Sequence, residues 1–219
     1  MSGPADARPE DVARAEGLRA FPPAALLGWA NATTSAVAAA GLAGLMVAAA
    51  HPRLALTLLG AAAALDRLDG FLARRLRQSS AFGAELDSLA DALAFCALPA
   101  VAARDLLAPG PGGDAVAVLF AVCGLWRLAY FNVHGLQPGA AGGRFRGVPS
   151  TVAASWLLVL GTLLLHVPRA AGAAGADLAM AALALLMISR LPYPKDGPAT
   201  LALYGLVPAA AAALWLWRG

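Results

Sequence analysis

Between Asp66 and Asp91 the sequence reads DRLDGFLARRLRQSSAFGAELDSLAD, which sets four aspartates, Asp66, Asp69, Asp87 and Asp91, among long apolar runs. Asp66 and Asp69 are three residues apart and Asp87 and Asp91 four, so on helices each pair shares one face. Unpaired anions at membrane depth are costly, so such a group must be protonated, paired with arginine or neutralised by cations. Clustered carboxylate oxygens favour a hard divalent ion, Mg2+ or Mn2+, and four carboxylates could hold two. Structural salt bridges to Arg67, Arg74, Arg75 and Arg77 are the alternative. Gly70 and Gly83 lack side chains that would block a bulky ligand, although helix packing alone can also select glycine there.

To converge, these aspartates need two antiparallel helices at matched depth. Leu54 to Leu65 supplies twelve uncharged residues before Asp66, and Ala92 to Ala103 twelve more after Asp91. At about 1.5 Å per residue, both aspartates lie about 18 Å from the outer membrane boundary. The rest of the chain fits that setting: 219 residues, 60% hydrophobic, 13% charged, with a mean hydropathy of +0.68. These values point to one polytopic integral membrane domain. Apolar runs rich in alanine and leucine, broken by Gly/Pro turns, indicate an all-α bundle rather than a barrel. A net charge of +3 gives no reason to expect a nucleic-acid partner. Cys96 and Cys123 fall in apolar runs without metal or redox spacing and read as small core residues, with no disulfide.

Residues 1–23 form a polar segment unlike a cleaved signal peptide, and Val12, Ala15, Leu18 and Phe21 suggest a short surface helix over 9–21. Residues 24–217 then form a single transmembrane domain with spans at 24–50, 54–77, 83–107, 114–133, 148–168, 176–190 and 198–217. The connections include HGLQPGAAGGRFRG at 134–147, PRAAGAAGAD at 168–177 and RLPYPKDG at 190–197. With the N-terminus inside, eleven arginines and lysines fall on inner segments and four on outer ones, which sets that orientation and puts the C-terminus outside. His51, His134 and His166 read as interfacial or loop residues, and Trp29, Trp215 and Trp217 as interfacial anchors.

The spacing D-x2-D-G-x2-A-R-x8-G-x3-D-x3-D is filled by Asp66, Asp69, Gly70, Ala73, Arg74, Gly83, Asp87 and Asp91. At every fixed position it resembles the signature of the CDP-alcohol phosphotransferase family of membrane enzymes. The resemblance implies a six-helix core, here with one extra C-terminal span, in which the four aspartates hold two divalent ions and Asp91 is the general base. It also implies transfer of a phosphatidyl group from CDP-diacylglycerol to a small alcohol, release of CMP, and a homodimer. Gly70, Ala73, Arg74 and Gly83 would then meet the CDP-lipid, with Asn31 and Thr34, one turn apart, facing the nucleotide.

Further stretches resemble the bacterial and archaeal branch of that family whose acceptor is L-serine: ANATT at 30–34, FGAELDSLADALAF at 82–95, RLAYFNV at 127–133, FRGVPS at 145–150 and LMISRLPYPK at 186–195. Tyr130 stands where that branch has a second arginine, and Ala30 where it has proline. A serine carboxylate calls for a fixed cation near the membrane boundary. Arg127, inside the fourth span, is the leading candidate, with Arg144, Arg146, Arg190 and Lys195 on the same side and Asn132 as a ligand or helix end. Inositol phosphate, glycerol phosphate or choline as acceptor, or an archaeal-type lipid donor, would use the same chemistry. A cation transporter or channel is the alternative of another class, and it predicts carboxylates spread along the membrane normal.

Overall fold

The computed structural model describes residues 28–76, 81–135, 144–194 and 198–216. Among them are seven helices: α1 Trp29–Val47, α2 Pro52–Leu76, α3 Ala81–Leu107, α4 Pro111–His134, α5 Ser150–Leu164, α6 Arg169–Met187 and α7 Pro198–Leu216. Two short strands, β1 Arg144–Arg146 and β2 Pro192–Pro194, lie in the connections after α4 and α6. The expected surface helix over 9–21 and Lys195 lie outside the described residues, as does Trp217.

Alanine and leucine are strong helix formers, and the helices fall where the apolar runs place them. By length and composition α1, α3, α4 and α6 can each cross a membrane, and α5 is a shorter apolar helix. The exterior confirms the setting: Trp29, Met46, Trp126 and Leu178 are large apolar side chains left facing outward. The interior is lined by small residues such as Ala55, Ala62, Ala94, Ala102, Ala153 and Ala184, all buried. That distribution suits helices that associate in lipid, where close backbone approach rather than escape from water drives packing. The chain is an integral membrane protein.

α3 is the central element, packed against α1, α2, α4, α5 and α6. At its C-terminal end Arg104 binds Asp105 at 2.7 Å and also pairs with Asp114, the first acidic residue of α4, which ties the turn between the two helices. At the opposite end β1 and β2 pair antiparallel, with Phe145 opposite Tyr193. The Tyr193 hydroxyl shares a 2.7 Å hydrogen bond with the buried Thr200, which fastens the ribbon to α7.

Three sequence expectations are corrected. The segment 168–177, read as a connection, is the first half of α6, which begins at Arg169 after Pro168. Its glycines serve packing, not turning: a Cβ on Gly172 would lie 2.8 Å from the Leu164 carbonyl oxygen, and one on Gly175 2.7 Å from Leu164 Cδ2. The connections at 134–147 and 190–197 each contribute a strand, and between β1 and α5 Gly147 takes a φ of +73° against the Met187 carbonyl, where a Cβ would come within 2.2 Å. Finally, α3 is not uniform: Ala92–Ala97 is π-helical, and the Leu98 N–H donates to the Leu93 carbonyl five residues back.

Candidate active site

α2 and α3 run as an antiparallel pair, and their lengths bring Asp66 level with Asp91, as the two flanking runs of twelve residues predict. Asp66, Asp87 and Asp91 each offer a carboxylate oxygen, and the three oxygens lie within 4.8 Å of one another. Asp91 Oδ1 is shielded from solvent. Three carboxylates this close suit a single hard divalent ion by donor chemistry and by spacing. The expectations for Asp69, Gly70, Ala73 and Arg74 fall on side chains outside those described, although all four residues continue α2. Gly83 is half-buried in the first turn of α3.

Arg127 enters the same region from α4. It is 8% exposed, and its guanidinium carbon lies 5.2 Å from the ring centres of both Phe131 and Phe145. Two aromatic faces at that distance stabilise a cation without consuming its hydrogen-bond donors. The charge of Asp91 also reaches the guanidinium, so Arg127 belongs to the electrostatic surroundings of the carboxylates. Phe145 comes from β1, so the ribbon is part of the site's wall.

Arg146 follows Phe145 on β1, and its Nη1 donates to the Tyr130 hydroxyl at 3.1 Å. Tyr130, the residue standing where an arginine was expected, thus holds one instead. Asn132 accepts a hydrogen bond from Ser88 at 3.0 Å, which links the carboxylate turn of α3 to the end of α4. Sequence reasoning passed over Ser88 and Phe145; the available signals were a serine adjoining Asp87 inside the signature and an aromatic adjoining Arg146.

Asn31 and Thr34 lie on α1, which packs against the carboxylate-bearing part of α3. Thr34 is buried, and its hydroxyl donates to the Ala30 carbonyl in its own helix. Arg190 sits exposed just beyond α6. The histidines stand apart: His134 stacks on Tyr130, and His166 hydrogen-bonds the Thr162 carbonyl. His51 lines an open hollow with Arg53 and Leu106, at the far ends of α2 and α3 from the carboxylates.

Residues 27–191 match the model of a family described as CDP-alcohol phosphatidyltransferase. The chain is 37% identical over 163 residues to a CDP-diacylglycerol–serine O-phosphatidyltransferase of Mycobacterium tuberculosis, covering 71% of this chain and 57% of the relative. A protein of the same description from Bacillus subtilis is 32% identical, with 59% of this chain and 68% of the relative covered. One from Methanocaldococcus jannaschii is 34% identical over 130 residues, with 59% and 58% covered. The chain thus spans little more than half the length of the mycobacterial relative.

Proposed function

Since the chain belongs to the CDP-alcohol phosphatidyltransferase family, we propose that it transfers a phosphatidyl group from CDP-diacylglycerol to L-serine and releases CMP. The observation that carries this reading is the convergence of Asp66, Asp87 and Asp91 within 4.8 Å beside the buried Arg127. The relatives' serine-transferring descriptions support the choice of acceptor.

In this reading Asp66, Asp69, Asp87 and Asp91 hold Mg2+ or Mn2+, and two ions fit the four carboxylates of the signature. When bound, the ions neutralise the pyrophosphate and polarise the attacked phosphorus. Asp91 takes the proton from the serine hydroxyl as the serine oxygen bonds to the phosphorus next to diacylglycerol. The phosphoanhydride bond breaks, and its bridging oxygen leaves with CMP. Arg127 binds the serine carboxylate through donors left available by its aromatic packing, and Arg146, held on Tyr130, and Lys195 add positive charge on the same side. Arg74 meets a phosphate, and Gly70, Ala73 and Gly83 leave room for the nucleotide beside Asn31 and Thr34.

A transporter or channel would spread its carboxylates along a path, whereas these meet at one depth. The site faces the cytoplasm of a prokaryotic cell membrane, with the N-terminus inside, and the active form is a homodimer. The deciding experiment is an acceptor screen with purified protein, CDP-diacylglycerol and Mn2+, reading CMP. Serine-dependent release is expected. Release with inositol phosphate, glycerol phosphate or choline but not serine overturns the acceptor, and no release with any acceptor overturns the transferase reading.

A further inference from the structure

We infer that the π-helical turn Ala92–Ala97 aims Asp87 and Asp91 at Asp66, and that Gly41 and Gly124 are positioning residues that clasp this turn. The inference rests on the reading of the three carboxylates as a metal cradle and extends it to residues that touch no ligand.

α3 has to satisfy two demands on one axis. Its C-terminal half buries Leu98, Ala102, Ala103 and Leu107 against neighbouring helices. Its N-terminal half has to present Asp87 and Asp91 to α2. A π turn holds about one residue more than an α turn, and one residue is about 100° of rotation in an α-helix. The carboxylates therefore stand about 100° round the axis from where an unbroken α-helix, packed the same way at its C-terminal end, would set them. The turn begins at the residue immediately after Asp91.

The segment ALAFCA holds neither proline nor glycine, but Pro99, two residues beyond it in α3, has no N–H to donate to the Phe95 carbonyl and crowds that carbonyl with its ring, which favours a widened turn there. Two neighbouring helices then close on the widened turn. A Cβ on Gly41 of α1 would sit 3.0 Å from both the N and Cα of Ala94. From the α4 side, a Cβ on Gly124 would sit 2.6 Å from Cys96 Sγ and 3.1 Å from its Cβ. Phe95 and Cys96 are fully buried between them. Two glycines thus grip the widened turn with no space for a methyl group, and either methyl would press on the segment that fixes the direction of Asp91.

The test uses the full chain in lipid nanodiscs and two readouts: Mn2+ binding by electron paramagnetic resonance without substrate, and CMP release with whichever acceptor the wild type uses. Gly124→Ala is expected to weaken Mn2+ binding and lower kcat by about tenfold or more, with KM for the CDP-lipid within about twofold. Adding Cys96→Ala removes the sulfur in the way and is expected to restore both within about threefold. The same Cys96→Ala change is expected not to rescue Gly41→Ala, whose methyl meets backbone. A Gly124→Ala protein indistinguishable from wild type overturns the inference, as does a double variant as impaired as the single one. Where Gly124→Ala is too unstable to purify, the double variant decides: wild-type Mn2+ binding supports the clasp, and impaired binding rejects it. A wild type that turns over another acceptor overturns the serine reading and leaves this comparison intact.

Discussion

α3 carries acidic residues near both of its ends, and the two ends treat them in opposite ways. At the C-terminal end Asp105 and, across the turn, Asp114 both bind Arg104. Towards the N-terminal end Asp87 and Asp91 gather with a third carboxylate, Asp66. Acidic groups matched to an arginine inside the fold close a turn and complete a structure. Acidic groups that converge on one another concentrate negative potential at a point, which is the arrangement the proposed metal site requires. In the proposed reading, one helix therefore separates charge used for architecture from charge used for chemistry.

The strongest test of the comparison is Asp91→Asn, which keeps the shape and removes the proposed base. CMP release should fall by about 1000-fold or more while CDP-lipid binding stays measurable by titration. Near-normal turnover would exclude Asp91 from proton transfer. Chelation comes next: EDTA should lower CMP release by about 100-fold or more, and added Mn2+ should return it. Full activity in chelator would break the assignment of Asp66, Asp87 and Asp91 to metal. Arg127→Met keeps the aliphatic stem and removes the charge, so the serine KM should rise by about tenfold or more with a much smaller change in the CDP-lipid KM. Equal effects on both substrates would move Arg127 out of the acceptor pocket. The smallest effect is expected outside: Asp114→Asn should shift the unfolding midpoint by about 2 °C or less and leave both KM values unchanged, because exposed ion pairs contribute little. A large loss of activity there would erase the distinction between the two ends.

The carboxylate hairpin was legible in the sequence because its information is local. Residue spacing sets which face each aspartate occupies, and two equal apolar runs set their depth, so Asp66 and Asp91 could be placed level before any packing was known. The all-helical architecture was legible for the same reason. The start of α6 was not, because Gly172 and Gly175 read as turn residues until Leu164 is seen against them. The ribbon was hidden because Phe145 and Tyr193 find each other across two helices. The π turn left no trace in hydropathy: Pro99 just beyond it marks a disturbed helix, but the close approach of Gly41 and Gly124 comes from α1 and α4 and shows only in the packing. Tyr130 looked like a lost cation, and only its hydrogen bond to Arg146 shows a cation brought in from elsewhere.

The pairing of β1 with β2 also sets a schedule. A chain made from its N-terminus completes α1 to α4, and with them all the carboxylates of the signature, before β2 has been synthesised. Strand β1 then waits for a partner more than forty residues further on, beyond two more helices. During that interval Phe145 has no ribbon to hold it over Arg127, and the aromatic cover is finished only when Tyr193 arrives and Thr200 fixes it to α7. The newborn protein thus holds its acidic centre early and gains the ribbon wall beside it late, among the last steps of its assembly in the membrane.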